Sequence, residues 1–188
     1  MQVERIVPKV WGPEEKAVYN TRESAPGCRE KLLDIIAKSA YNNDRAYEGC
    51  SRCVLWALQT HLHLEDEGAL RASTALAAGV ARMGETCGAL LGGIMAIGLA
   101  LGSTKLEDFE AYVKTMEAGY EMFNRFKEKM GSTRCFEIQE KLLGRRYDFK
   151  KEEDREAWYQ EGGLEVCPWV CGEAARIAAD IILSKGGG

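Results

Sequence analysis

Seven cysteines stand beside only 2 histidines in this chain of 188 residues, so thiols rather than imidazoles are its reactive inventory. Thiolates serve as metal ligands and as nucleophiles in disulfide exchange, and both uses require the thiol proton to be lost. Two close pairs stand out. Cys50-Ser51-Arg52-Cys53 is a CxxC without the following histidine of a c-type haem site, and no second CxxC completes a zinc ribbon. Cys167-Pro168-Trp169-Val170-Cys171 is a CxxxC, which sets two thiols one helical turn apart. His61 and His63 lie two residues apart, on different faces of a helix, and are assigned no role.

The apolar spacing is helical throughout, and no segment alternates as a strand would. Leu32, Leu33, Ile35, Ile36 and Ala40 mark a first helix; Val54, Leu55, Ala57, Leu58 and Leu62 mark a second. A third is expected over Asp66 to Val80, and a fourth over the glycine-rich stretch from Cys87 to Leu101. A long fifth follows the Gly102-Ser103-Thr104 stop, its apolar face formed by Leu106, Phe109, Val113, Met116, Tyr120, Phe123 and Phe126. A sixth spans roughly Thr133 to Leu143, the run GRRYDFKKEEDRE reads as a polar loop, and the last helix runs from Pro168 to Leu183. The expectation is an all-α single-domain bundle of about six or seven helices around the buried glycine-rich helix. Its domain covers residues 28–185, between an irregular segment 1–27 and a frayed end 186–188.

On this map the cysteines gather at helix starts. Cys28 precedes helix one, Cys50 and Cys53 open helix two, Cys87 opens helix four and Cys135 lies in the first turn of helix six. Cys167 is expected as the N-cap before Pro168, with Cys171 a turn further on. A helix N-terminus offers unpaired N–H groups and about half a positive charge, which favours thiolate. Gly88 and Gly92 cost a helix about 1 kcal/mol each relative to alanine. Either they let two helix backbones touch, or they let backbone approach a cofactor beside Cys87.

Several classes fall away. A net charge of -4 offers no global attraction to nucleic acid or anionic membrane. The basic run Gly144-Arg145-Arg146-Tyr147 is followed by Glu152, Glu153 and Asp154 and reads as a mixed-charge loop. The stretch from Cys87 to Leu101 falls short of the roughly 20 residues of a membrane crossing. The charged N-terminus MQVERIVPKVWGPEEKAV lacks the apolar core of a secretory signal, so a cytoplasmic location with reduced thiols is expected. Glu85 and Arg134 are read as solvated surface charges, and Trp169 as a structural core residue.

The hexapeptide Cys87-Gly88-Ala89-Leu90-Leu91-Gly92 matches a CGAxxG core. A cysteine opening a Val/Leu-rich helix precedes it (Cys50), a cysteine after a Gly-Ser-Thr turn follows (Cys135), and a Cys-Pro ahead of the last helix closes the series (Cys167). Over about Ala40 to Leu183 the chain thereby resembles the C-GCAxxG-C-C family, named from its order of cysteines. The resemblance implies a small helical redox-active protein and selects Cys50, Cys87, Cys135 and Cys167. Cys28, Cys53 and Cys171 are additions to the pattern, with Cys53 and Cys171 as possible substitutes. The leading expectation is a thiolate-ligated metal centre on the four, an iron–sulfur cluster amid Gly88 and Gly92, serving electron transfer or a protein redox partner. Two alternatives stand beside it: a metal-free thiol–disulfide oxidoreductase or sensor using the Cys50/Cys53 and Cys167/Cys171 pairs, and a zinc-stabilised helical adaptor. An oligomer is compatible with each.

Overall fold

The computed structural model describes residues 26–186. The irregular N-terminal segment expected up to residue 27 lies outside them but for Pro26 and Gly27, which open a helix. Of the frayed end only Gly186 is described; it caps the last helix.

Among the described residues there are eight α-helices and no strand: α1 Pro26–Tyr47, α2 Cys50–Leu62, α3 Glu67–Ser73, α4 Gly88–Leu101, α5 Phe109–Met130, α6 Cys135–Leu143, α7 Glu152–Gln160 and α8 Gly163–Lys185. The core forms where α1, α2, α4 and α8 pack on one another, with α5 laid against α4 and α8. Its side chains are the small and branched ones the spacing marks: Leu33, Ile36 and Ala40 from α1, Val54, Leu55 and Leu58 from α2, Leu90 and Ile97 from α4, Ala174, Ala178 and Ile181 from α8.

The glycines of α4 set its closest approach. A Cβ on Gly92 would lie 2.4 Å from the carbonyl oxygen of Ser51, so the backbones of α4 and α2 touch there. Gly93 is filled in the same way by Met122 of α5 and Ala178 of α8, whereas Gly98 meets nothing within 4 Å.

Four expectations change. The third helix does not reach Val80: α3 ends at Ser73, a single 3-10 turn covers Thr74–Leu76, and the chain then turns left-handed. Ala78, Gly79, Val80, Ala81 and Arg82 have φ values of 54°, 71°, 61°, 51° and 66°. The alanine-rich composition favours a helix, but the chain must here double back towards Cys87, and bonds such as Gly84 N–H to Ala78 O and Glu85 N–H to Gly79 O (3.2 and 3.0 Å) close the turn. The expected polar loop contains α7, whose first turn carries Glu152, Glu153 and Asp154 at the positive end of the helix dipole. The last helix begins five residues early, at Gly163, with Pro168 inside it. Proline there cannot bond the Leu164 carbonyl, and Arg45 Nη1 donates to that oxygen instead (3.4 Å).

The fourth change concerns α5. Only Phe126 of its expected apolar face is in the core, together with Ala118, Met122 and Met130. Leu106, Phe109, Val113, Met116, Tyr120 and Phe123 are exposed, Tyr120 at 73%. The spacing of three and four is helical on both stripes, and periodicity does not say which one faces the core.

Candidate redox centre

Two straps bring the central cysteines together. Thr86 pairs with Arg134 in an isolated antiparallel bridge. On one side of it Cys87 N–H donates to Thr133 O (2.8 Å), and on the other Cys135 N–H donates to Glu85 O (2.7 Å). Cys87 is thus the N-cap of α4 and Cys135 the first residue of α6, two helix starts held side by side. Cys50 is the first residue of α2, and its Sγ occupies the space a Cβ on Gly88 would need, 2.5 Å away. The left-handed turn closes the third side, where a Cβ on Gly79 would lie 2.7 Å from Cys135 Cβ. Cys167 comes from the second turn of α8, not from its N-cap, because the helix starts before it.

All four thiols line one cavity of about 630 Å³. Like-charge repulsion between their ionised forms acts in every pair of the four, so they form a single electrostatic group. Gly88 and Gly92 are not in the lining; they abut Cys50 Sγ and the Ser51 carbonyl. All seven cysteines are free thiols.

Backbone N–H groups favour the ionised form of two sulfurs: those of Ala89 and Leu90, in the first turn of α4, act on Cys87, and that of Ala78, in the left-handed turn, acts on Cys50. Burial nevertheless outweighs them. It pushes Cys87 up to about 11 and holds Cys50, Cys135 and Cys167 well above an ordinary thiol. Removing a thiolate from water costs more than two or three neutral N–H donors return. The N-terminal positions expected to favour thiolate therefore do not do so in the protein alone.

Cys53 and Cys171 sit behind the cavity, facing the carboxyl of Asp44. Asp44 lines the floor at 4% exposure, and burial, aided by Glu48, raises its pKa to about 7, while the Cys171 and Cys53 thiols and Arg52 lower it. Burial likewise pushes Cys53 up to about 12 and Cys171 well up. Cys28 lies in the first turn of α1, outside the group lining the cavity. Gln139, one turn after Cys135, donates from Nε2 to Cys135 Sγ (3.7 Å) and accepts Tyr147 N–H at Oε1 (3.2 Å).

Asp44 and Gln139 were missed by the sequence reading, though both carry a signal. Asp44 continues the stripe Ile36, Ala40, Tyr41 at helical spacing, an acid where an apolar residue is due. Gln139 shares a face with Cys135, four residues back. Glu85 and Arg134 form a half-exposed ion pair at 2.9 Å, a surface interaction worth roughly 0–1 kcal/mol. Trp169 is buried in the core, and His61 and His63 lie outside the cavity.

Residues 48–181 match the family described as "Putative redox-active protein (C_GCAxxG_C_C)". The chain belongs to this family. The match spans well over half of it and includes all four patterned cysteines, so the C_GCAxxG_C_C order of cysteines is the order in which the chain delivers thiols to one cavity. Neither curated proteins nor solved structures give a match.

The donor set can be tested against a metal. Among the described residues no three His, Cys, Asp or Glu side chains are close enough to hold one ion. A single zinc with sulfur at about 2.3 Å would need the thiols drawn tightly together. The donor set itself is the one a polynuclear group takes, four cysteine thiols lining one cavity. No helix among the described residues is long and apolar enough to cross a membrane.

Proposed function

We propose that this cavity is a redox centre in which Cys50, Cys87, Cys135 and Cys167 ligate an iron–sulfur cluster, and that the protein passes electrons to or from a protein partner in the cytoplasm. One observation carries the reading: four thiols drawn from α2, α4, α6 and α8, 117 residues apart at the extremes, line one cavity. Bound there, the cluster would supply a one-electron couple.

The residues of the chain do the rest. The four thiols lose their protons on ligation, which a metal enforces whatever their pKa. The N–H groups of Ala78, Ala89 and Leu90 point at sulfur and would stabilise added negative charge. Ala77, Ala78, Ala89, Ile138 and Val170 keep the wall apolar.

Burial argues against a thiol–disulfide enzyme, which needs an accessible thiolate of low pKa. Every thiol of the cavity is pushed the other way. The test is anaerobic purification, a visible spectrum, and iron and zinc quantified on the same sample. A brown protein with iron, bleached by dithionite, is expected; Cys→Ser at 50, 87, 135 or 167 should remove the colour, and Cys28→Ser should keep it. Protein that stays colourless and iron-free after anaerobic reconstitution would overturn the proposal.

A further inference from the structure

The cavity extends beyond the thiols. Cys87, Cys135 and Asp44 are its buried floor, while Tyr47, Arg52, Arg82 and Tyr159 are its exposed mouth. The whole cavity, thiol end included, is about 630 Å³, within the range of roughly 300–1,000 Å³ of ligand pockets.

The mouth is cationic although the chain is acidic overall. Arg52 donates from Nη2 to Tyr47 O (2.7 Å) and from Nε to Glu48 O (3.1 Å); these carbonyls fix the guanidinium without neutralising it. Arg82 has no carboxylate partner among the described residues, and its backbone sits at φ 66°, a conformation unfavourable to any side-chain-bearing residue. Arg155 donates to Phe149 O (3.4 Å) and pairs with Glu152, which lies outside the lining. Glu48, the acid at the mouth, accepts the Tyr159 hydroxyl (2.7 Å).

Aromatic side chains line the same cavity, two of them on α7 with Arg155. Phe149 meets Trp158 edge-on at 5.6 Å between ring centres, and Trp158 meets Tyr159 at 5.1 Å. A guanidinium set beside fixed rings recognises an anionic group carried on a flat apolar body.

We propose that the outer half of the cavity binds a small organic anion with a flat apolar body, its charged group held by Arg52, Arg82 and Arg155 and its body against Phe149, Trp158 and Tyr159. This names the ligand class of the cavity and rests on the reading of that cavity as a working centre.

The test is isothermal titration of the full chain, its iron content measured, with three probes of the same flat body: 2-naphthoate, 2-naphthylmethanol and 2-naphthylmethylammonium. Naphthoate should bind about tenfold or more tighter than the alcohol, and the ammonium should give no measurable binding. Arg82→Gly suits the left-handed backbone and so keeps the fold; it should weaken naphthoate about tenfold and leave the alcohol unchanged, with Arg82→Lys recovering part of the loss. Equal binding of the anion and the alcohol, or naphthoate binding untouched by Arg82→Gly, would overturn the proposal. Protein that stays iron-free after anaerobic reconstitution yet binds naphthoate would sink the cluster alone, and iron-loaded protein indifferent to naphthoate would sink the ligand site alone.

Discussion

Asp44→Asn isolates a carboxyl whose titration burial has moved to neutral pH. The carboxyl is buried at 4% exposure and has a pKa of about 7, against an ordinary aspartate near 3.9. A raised value means that the native state holds the proton more tightly than the unfolded chain does. The stabilisation is therefore complete below the unfolded value, declines as pH rises from about 4, and is gone above about 7. At about 1.4 kcal/mol per pKa unit, raising the pH from about 5 to about 8 should cost metal-free protein about 3 kcal/mol. For a chain of this length that is a fall in Tm of roughly 6–12 °C. The groups facing Asp44 do not confuse the window: Cys53 is pushed up to about 12, Cys171 lies well above an ordinary thiol, the Arg52 guanidinium lowers the Asp44 value, and Glu48 adds like-charge repulsion. Asparagine keeps the shape and stays neutral, so the variant should lose this part of the slope and melt above the wild type at about pH 8. Scanning calorimetry on reduced protein in chelator, over that pH range, measures both curves. A variant that keeps the full wild-type slope would refute the argument that Asp44 is buried against its charge.

The α2–α4 contact gives a pair of opposite signs. Gly98→Ala meets nothing within 4 Å and should gain about 1 kcal/mol of helix propensity, whereas Gly92→Ala drives a Cβ to 2.4 Å from the Ser51 carbonyl oxygen and should lose about 1–3 kcal/mol to overpacking. Thermal melts of the two variants decide it, and a shared sign would refute the backbone contact. Val80→Gly removes a β-branched side chain at φ 61°, a strain of about 1–2 kcal/mol, at an unfolded-state cost of about 0.5–1, so Tm should rise. A fall would show that the left-handed turn is not held against strain. In metal-free protein near neutral pH, Cys28 should react first with a disulfide reagent, and Cys53, Cys87, Cys135 and Cys171 only as the chain opens, because those four are buried. Peptide mapping of the labelled protein reads the order.

The sequence was most informative where one pattern had one solution. The stripes of α1 and α2 and the glycine-rich run of α4 each had a single way to be satisfied, and the four patterned cysteines line one cavity. It was least informative where two patterns compete. α5 carries an apolar stripe on two sides, and only the tertiary packing of α4 and α8 chooses Ala118, Met122 and Phe126 over Val113, Met116 and Tyr120. α7 has one buried residue, Trp158, too few for a period to show through EEDREAWYQ. The turn from Ala78 to Arg82 has helix-forming composition, and nothing local announces that its backbone runs the other way. Asp44 was hidden for the opposite reason: its spacing is that of a core position, and its type alone is out of place.

Several unfavourable terms of the fold lie at or beside this cavity. Ala78, Val80, Ala81 and Arg82 hold left-handed conformations at about 1–2 kcal/mol each, a sum comparable to much of the roughly 5–15 kcal/mol by which a domain is stable. Beside them lie thiols and a carboxyl whose charged forms are penalised by burial. Packing of α1, α2, α4 and α8 offsets these costs, yet a chain arranged for stability alone would place its cysteines elsewhere and a glycine at position 80. A bound cation changes the balance, because a ligand that binds only the native state adds stability in proportion to its affinity and concentration. Four thiols with raised pKa values must each release a proton to ligate, so under the proposed function the affinity rises with pH. The Asp44 contribution lost as pH rises through about 7 belongs to the fold with or without metal and cancels in the difference between the two forms. The gap in Tm between metal-loaded and metal-free protein should therefore widen from about pH 6 to about pH 8. A gap that narrows over that interval, measured by paired anaerobic melts, would mean that the thiols of this cavity do not give up their protons to a metal.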